Sequence, residues 1–214
     1  MVSLDGLIIS AGYSSRMKHF KPLMQYNGIP FLLSIIIKLS NVCQNIVVVI
    51  GYQADNLKKE ITHWLNQSPE DTWLKLGNLT EKSWFNLSQR INIQYNQDFN
   101  LGMFSSLQYG LQQLPNPEWV LYHFVDQPHI PKHFYSKFVT QITSNCNWIQ
   151  PVYKGRKAHP IIFDSVVINT ILKANPTTSL NTLTQKSRFK KKYWNCQFPE
   201  IIQDLDTPLD LMKQ

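Results

Sequence analysis

The chain has 214 residues, of which 43% are hydrophobic and 16% charged, so it can bury a full core and does not have the composition of a disordered protein. Its formal net charge of +7 favours a polyanionic partner, a signature that nucleic acid and small phosphate-rich ligands share. Its three cysteines lie far apart without a C-x-x-C pair, which argues against a disulfide framework or a zinc site and favours reduced thiols.

We expect a cytoplasmic protein without a membrane partner. The apolar stretch at residues 31–37 is too short to span a bilayer. The first motif begins almost at the N-terminus, which leaves no room for a signal peptide.

In chain order the pattern alternates between strand-like and helix-like segments. Apolar and β-branched runs predict strands at residues 7–10, 45–50, 91–95, 119–125, 148–153, 160–163 and 192–198. Apolar residues at helical spacing predict helices at residues 30–39, 55–65, 104–114, 131–143, 166–173 and 179–185, with a short final helix from Pro208. This alternation predicts a single α/β domain over residues 1–214, with a mainly parallel sheet covered by helices on both faces.

Residues 66–90 fit this alternation least well, because large aromatic side chains lie among polar ones between a helix and a strand. The segment is an inserted helix pair, an extension of the preceding helix or a lid over a site. We expect an embellishment of the domain rather than a lid.

The segment after the first strand has the composition of a polyphosphate-binding loop. Gly12 can adopt the dihedral angles of a sharp turn and has no Cβ, so backbone N–H groups can approach phosphate oxygens. Arg16 supplies a planar fork of donors and Lys21 a mobile positive charge. The segment matches neither G-x-x-x-x-G-K-[ST] nor G-x-G-x-x-G, which disfavours a P-loop NTPase and a dinucleotide-binding dehydrogenase. The nucleotide-binding residues predicted here are Ser10, Ala11, Gly12, Ser14, Ser15, Arg16 and Lys21.

Two separated carboxylates suggest a magnesium site near that loop. Asp126 follows a buried strand, and Asp206 lies in the acidic segment at residues 204–210. Mg²⁺ prefers oxygen ligands and commonly takes one or two carboxylates together with substrate phosphates. Each Asp could instead cap a helix, because prolines follow both. The combination of two carboxylates with a phosphate loop favours the metal.

Two further segments are candidates for substrate contacts. Gly102 and Ser106 lie where a glycine precedes a helix N-terminus, which can contact a base or ribose, although such a serine can also be an ordinary first-turn residue. Arg156 and His159 precede a strand and suit a second, anionic substrate, although a lone histidine is more often structural.

Together these motifs resemble those of the MobA-like NTP transferase family, and within it the molybdenum cofactor cytidylyltransferase branch. The resemblance is specific because five motifs occur in the family's order. They are the loop at 9–17 with Lys21, Gly-Met-x-x-Ser-Leu at 102–107, Asp-Gln-Pro at 126–128, Ala-His-Pro at 158–160 in place of Gly-His-Pro, and Asp-x-Asp-Thr-Pro-x-Asp at 204–210.

This resemblance implies a Rossmann-like three-layer α/β/α fold of the nucleotide-diphospho-sugar transferase type, with a mostly parallel mixed sheet. It implies an Mg²⁺-dependent nucleotidyltransferase in which Arg16 and Lys21 hold the triphosphate and, with Asp126, act in catalysis. It also implies that Asp126 and Asp206 hold the Mg²⁺.

The implied reaction moves CMP from CTP onto the phosphate of a molybdopterin-type acceptor and releases pyrophosphate. Ala11 favours CTP over another NTP, because the cytidylyl branch has Ala-Gly where the guanylyl branch has Gly-Gly. The chain departs from the family at Ser10, Lys18 and Ala158. It also departs at residues 175–181, where a charged Gly-Asp-x-Gly-Ala-Arg stretch is absent.

Three alternatives stay open. The same chemistry could use a sugar phosphate or another small phosphate acceptor, although the short spacing from Arg16 to Lys21 counts against a sugar phosphate. A non-catalytic protein could hold molybdenum cofactor for delivery to a molybdoenzyme or its chaperone. Nucleic-acid binding would use the basic cluster at residues 188–192, which we interpret as a surface turn leading into a strand, so we expect no nucleic-acid partner.

Overall fold

The strands form one large sheet and one small hairpin in a computed structural model that describes residues 2–13, 19–205 and 210. In chain order the strands are β1 (Leu4–Ser10), β2 (Gln25–Tyr26), β3 (Ile29–Pro30), β4 (Ile46–Ile50), β5 (Ile91–Tyr95), β6 (Trp119–Phe124), β7 (Trp148–Tyr153), β8 (Arg156–Lys157), β9 (Ile161–Asp164) and β10 (Lys191–Asn195).

The α-helices lie between these strands, singly or in succession. They are α1 (Phe31–Leu39), α2 (Ala54–Asn66), α3 (Asp71–Gly77), α4 (Glu81–Leu87), α5 (Met103–Gln112), α6 (Lys132–Val139), α7 (Ser165–Lys173) and α8 (Leu180–Lys186). Short 3-10 helices span Lys21–Leu23, Ser88–Arg90, Phe99–Leu101 and Pro199–Ile202. Within the described part of the chain, no helix is both long enough and apolar enough to cross a bilayer.

The main sheet has the strand order β10-β7-β9-β6-β1-β4-β5, with β8 paired to β7. The pairs of β1 with β4 and β6, of β4 with β5, and of β7 with β10 are parallel, whereas β9 runs antiparallel to β6 and β7. The predicted mostly parallel mixed sheet is therefore confirmed. Because β1 and β6 are parallel neighbours, their carboxyl ends meet at one edge of the sheet.

Helices cover both faces of the sheet, which confirms the predicted three-layer architecture. Ile8 of β1 packs into a core formed with α1, α2, α3, α4 and α6. Its neighbours Leu7 and Ile9 pack into the opposite core, with α5 and α7. The β-branched run of β4 is buried along its whole length for the same reason, since its side chains alternate between two covered faces.

Residues 66–90 contain a helix pair, one of the three arrangements considered from the sequence. Trp73 of α3 and Trp84 of α4 are buried and their ring centroids lie 5.4 Å apart. These helices pack on α1 and α2, in the core that contains Ile8. That the pair is an insertion into a single domain stays a prediction.

The predicted boundaries differ from the observed ones mainly at the ends of elements. The helix expected over 131–143 ends at Val139, where the Thr140 hydroxyl donates to the Lys137 carbonyl at 2.8 Å. The strand expected over 192–198 ends at Asn195. The sequence analysis did not predict the β2–β3 hairpin or β8, and the final helix expected from Pro208 falls mostly on residues outside the described ones.

Candidate active site

A cavity of about 550 Å³, here called the first cavity, opens where β1 and β6 end. The loops that follow parallel strands supply most of its wall, as expected for a ligand site in an α/β sheet. Among its lining residues are these that the sequence analysis predicted: Ser10, Ala11, Gly12, Lys21, Gly102, Ser106, Asp126 and His159. Four other predicted residues, Ser14, Ser15, Arg16 and Asp206, lie outside the described residues.

The loop after β1 is held in place by backbone contacts. The Tyr52 N–H donates to the Ala11 carbonyl at 3.2 Å, which ties the loop to the end of β4. A Cβ added to Gly51 would lie 2.6 Å from the Phe99 ring and 2.8 Å from the Ala11 oxygen, so only glycine allows this close approach. Gly12 does not have the positive φ that a sharp turn was expected to need. Its missing side chain instead leaves the cavity open, because an added Cβ would meet no atom of the described residues within 4 Å.

Ser10 places a polar atom at the cavity wall that has no hydrogen-bond partner among the described residues. Its side chain is buried, and its Oγ makes no hydrogen bond within the described part of the chain. A buried hydroxyl that lacks a partner costs about 1–3 kcal/mol. A ligand in the first cavity is the available source of that hydrogen bond.

The C-terminal segment is attached to the loop after β6, which brings a second carboxylate to the cavity. The Leu205 N–H donates to the Asp126 carbonyl at 3.0 Å. The Gln127 side-chain amide donates to Ile201 O at 3.1 Å and to Asp204 Oδ1 at 2.9 Å. Asp204 and Asp126 both line the first cavity, so the late acidic segment and the strand-end carboxylate lie at the same site.

The alternative role of Asp126 as a helix cap is wrong, because Pro131 is the N-cap of α6 and no side chain caps it. Within the described residues, no group of three or more His, Cys, Asp or Glu forms a metal cluster. A magnesium ion held by one or two carboxylates and by substrate phosphates does not need such a cluster. Asp126 and Asp204 fit that donor set.

A buried lysine supports the loop that carries Asp126. The Lys38 ammonium and the Ser34 hydroxyl of α1 both donate to the Pro128 carbonyl, the latter at 3.2 Å. Burial lowers the pKa of Lys38 to about 7. The sequence analysis missed this residue, and its signal was a single lysine within the apolar run of α1.

His123 of β6 is fully buried beside this support. Its Nδ1 donates to the Phe124 carbonyl at 2.6 Å, so its Nε2 accepts from the Tyr135 hydroxyl at 2.7 Å. Burial lowers the pKa of His123 to about 3, so the ring is neutral at neutral pH. His123 is a structural histidine and not a ligand.

Two neighbouring serines near the start of α5 have different roles. Ser105 Oγ lies 2.8 Å from the Gly102 carbonyl and 3.0 Å from the Asp98 carbonyl, so it has a local structural role. Ser106 lines the first cavity and accepts from Asn96 Nδ2 at 3.0 Å. Gly102 has a φ of 113°, a conformation that favours glycine, and a Cβ there would face open space.

The two predicted acceptor residues lie in different places. His159 lines the first cavity, with its ring centroid 4.4 Å from that of Phe124. Burial lowers the pKa of His159 to about 4, so at neutral pH it can offer a hydrogen bond but not a positive charge. Arg156 lies exposed on β8 and does not line the first cavity. Its role in acceptor binding stays a prediction.

Aromatic side chains form a part of the site that the sequence analysis missed. Tyr13 and Phe99 both line the first cavity, and their ring centroids lie 5.4 Å apart. Tyr13 is also 5.3 Å from Tyr52. Asp204 was missed as well, although it belongs to the acidic segment from which Asp206 was chosen. The only sequence signal for Tyr13 was its position in the phosphate loop.

Comparison with known proteins gives a consistent result. The family described as MobA-like NTP transferase domain matches residues 6–191. A molybdenum cofactor cytidylyltransferase from Escherichia coli (strain K12) is 24% identical over 213 residues, which cover 99% of this chain and 95% of that protein.

Solved structures share the fold. A nucleotidyl transferase from Methanothermobacter superposes with a TM-score of 0.72 at 13% identity, covering 99% of this chain and 95% of that one. The 4-diphosphocytidyl-2C-methyl-D-erythritol synthase from Anaerococcus prevotii superposes with a TM-score of 0.71 at 16% identity, covering 99% and 94%. At these identities the similarity establishes the nucleotidyltransferase fold alone.

Proposed function

Because the chain belongs to the MobA-like NTP transferase family and is a nucleotidyltransferase, we propose that it transfers CMP from CTP onto the phosphate of a molybdopterin-type acceptor. The molybdenum cofactor cytidylyltransferase from E. coli, which this chain matches over nearly the full length of both proteins, supports this acceptor. Ala11, with the residue type of the cytidylyl branch, supports CTP.

One observation carries the proposal. A single cavity joins the loop after β1, the buried amine-bearing side chain of Lys21 and the carboxylates of Asp126 and Asp204. A nucleoside triphosphate presents several phosphate charges, which this combination of a cation, backbone N–H groups and carboxylate ligands for a metal can accommodate.

The transfer is a displacement at the α-phosphorus of CTP. An oxygen of the acceptor phosphate forms the new bond to the α-phosphorus, the bond from the α-phosphorus to the oxygen bridging to the β-phosphorus breaks, and that oxygen leaves with the electron pair as part of pyrophosphate. An ionised phosphate is already a nucleophile, so the protein needs to supply neither a covalent intermediate nor a general base. Positioning and neutralisation of charge are then the main sources of catalysis.

The residues divide this work. The loop at Gly12 admits the phosphates to the backbone, and Lys21 with Arg16 balances the charge that accumulates on the leaving pyrophosphate. Asp126, Asp204 and Asp206 are the candidate holders of Mg²⁺, which when bound polarises phosphate oxygens as a Lewis acid. In this proposal Gly102 and Ser106, which line the first cavity, contact the ribose and base.

The test is an assay of both products. The purified protein is incubated with Mg²⁺, molybdopterin and each of CTP, GTP, ATP and UTP, while pyrophosphate release and the mass of the acceptor are followed. We expect pyrophosphate with CTP and an acceptor heavier by one cytidylyl group. Stabilisation by CTP with no pyrophosphate from any acceptor would favour a cofactor-holding protein, and no response to any nucleotide would overturn the proposal.

A further inference from the structure

A second cavity of about 410 Å³ lies next to the first, and His159 lines both. We propose that this second cavity binds the ring system of the acceptor, a planar heterocycle with an anionic substituent, while the acceptor phosphate reaches the first cavity past His159. The proposal rests on the proposed function, because it names the part of the acceptor that this chain selects.

The charge of the second cavity fits an anion. Lys157 of β8 and Lys191 of β10 both line it, and of the described residues that do so none is acidic. Arg156, predicted as an acceptor residue, does not line this cavity either. Lys157, its neighbour on β8, is the residue of that segment that lines it. Two cations without a carboxylate among the lining side chains favour an anionic ligand over a neutral or cationic one.

Aromatic rings give the cavity an affinity for planar groups. Lys157 Nζ lies 4.2 Å from the centroid of the Tyr193 ring and 3.0 Å from its hydroxyl, so the lysine holds this ring in place. The Tyr193 side chain is 42% exposed and is available for stacking. Trp148 is buried at the cavity wall, where it stacks on Phe163 with the ring planes 21° apart.

Amide side chains supply donors and acceptors that can form hydrogen bonds with the polar atoms at the edge of a heterocycle. Gln150 of β7 and both Asn181 and Gln185 of α8 line the cavity. Gln150 Nε2 donates to Ala158 O at 3.2 Å, and Gln185 Nε2 donates to Asn181 Oδ1 at 3.4 Å. These contacts orient the side chains and leave further amide donors and acceptors for a ligand, as is usual in sites that combine aromatic walls with a few polar groups.

His159 lies at both cavities and has a ring nitrogen without a hydrogen-bond partner among the described residues. Its Nδ1 is buried and makes no hydrogen bond within the described part of the chain. A neutral imidazole can donate from one nitrogen and accept at the other. An acceptor that extends from one cavity to the other passes this ring and can satisfy the buried nitrogen.

The alternation of β10 provides a control on the opposite face of the sheet. Lys191 and Tyr193 face the second cavity, whereas Lys192 Nζ donates to the Gln141 carbonyl at 2.8 Å and Trp194 stacks on Phe138. Part of the basic cluster at 188–192 is therefore committed to a small cavity. Removing the charge of Lys192 changes the net charge as much as removing that of Lys191, but outside the proposed site.

The experiment uses the fluorescence of pterin-6-carboxylate, an anionic planar heterocycle, as the probe of the full-length protein. We expect it to bind the wild type more tightly than neutral pterin or inorganic phosphate does. Lys157→Gln and Lys191→Gln should each weaken binding about tenfold, the loss of one charge-assisted contact. Tyr193→Ala should weaken binding similarly, Tyr193→Phe much less, and Lys192→Gln should leave it within about twofold.

A second measurement separates this inference from the proposed function. Stabilisation by CTP is recorded for every variant and should not change, because the substituted residues do not line the first cavity. Probe binding that depends on Lys157 and Lys191, without cytidylyl transfer to any acceptor, supports the second cavity and overturns the function. Three results would overturn the inference. They are cytidylyl transfer whose acceptor KM is unchanged in Lys157→Gln and Lys191→Gln, a loss of probe affinity in Lys192→Gln equal to that in these two variants, and no probe binding by the wild type.

Discussion

The two cavities that share His159 are made from different parts of the chain. The first is lined largely by residues of the segments that follow β1, β5 and β6, among them Gly12 and Gly102. The second is built from side chains that project from β7, β8, β10 and α8. Backbone groups suit phosphates, which every nucleotide carries, whereas side chains can change without moving the sheet. We therefore expect that substitutions can alter the proposed nucleotide site and the proposed acceptor site separately.

Among substitutions that affect the first cavity and not the second, we expect the largest loss of transfer rate from Asp126→Asn. This change keeps the size of the side chain and removes its charge, so the rate of cytidylyl transfer should fall about a hundred- to thousandfold. The dependence of CTP stabilisation on Mg²⁺ should disappear, while binding of pterin-6-carboxylate should be unchanged. Asp71→Asn, on an exposed residue of α3, is the matched control and should keep the full rate. Normal turnover in Asp126→Asn would remove Asp126 from the metal site.

Gly51→Ala should change the first cavity through a residue that does not line it. The added Cβ would lie within 2.8 Å of the Ala11 oxygen and the Phe99 ring, so the loop after β1 must shift. We expect CTP affinity to fall about thirtyfold and stability to fall by roughly 1–3 kcal/mol, as in other overpacked sites. Affinity for pterin-6-carboxylate should not change.

Gly12→Ala is the matched variant for that change. Its Cβ would meet no atom within 4 Å in the part of the chain that the structure describes, so stability should stay at the wild-type value while the side chain occupies space next to the phosphates. Denaturant unfolding and CTP titration of the two variants give the comparison. An equal loss of stability in Gly51→Ala and Gly12→Ala would mean that the loss comes from any added side chain near the loop after β1, and not from the clash at Gly51.

The sequence predicted the sheet better than the walls of the site. The run at 46–50 was found because burial on both faces requires uninterrupted apolar residues, and the strand at 148–153 because most of its residues are apolar or aromatic. Asp126 and Gly12 were found because their residue types and positions at strand ends indicate chemistry. Tyr193 was not singled out, since it meets Lys157 only through the pairing of β7 with both β8 and β10, and local patterns carry no information on such pairing.

Lys38 offers a way to loosen the first cavity without entering it. It is packed in the core on the α1 side, and Lys38→Met removes one donor to the Pro128 carbonyl but leaves Ser34. We expect kcat to fall about tenfold through misplacement of the Asp126 loop, with little change in acceptor KM. Lys38→Gln retains an amide donor and should recover part of the rate.

The same variant should change the dependence of stability on pH. Burial lowers the pKa of Lys38 from 10.5 to about 7, so between these values the unfolded chain binds a proton that the folded chain does not. The unfolding free energy of the wild type therefore rises with pH in this range, by up to about 1.4 kcal/mol per unit from this residue. His123 and His129, which also face Lys38, are neutral there because burial lowers the pKa of both. The stability of Lys38→Met relative to wild type should thus be greater at pH 6.5 than at pH 9.5, and a constant difference would contradict the buried amine.

The smallest expected effect concerns the unpartnered hydroxyl of Ser10. Ser10→Ala removes a buried polar atom that has no partner within the described chain, so stability should stay constant or rise by about 1 kcal/mol. CTP affinity should fall about threefold, because the ligand loses one neutral hydrogen bond. Ser105→Ala is the contrasting variant, since its hydroxyl lies 2.8 Å from the Gly102 carbonyl and its loss should lower stability. A drop in melting temperature for Ser10→Ala without any change in CTP affinity would show that this hydroxyl serves the fold and not the binding of the nucleotide.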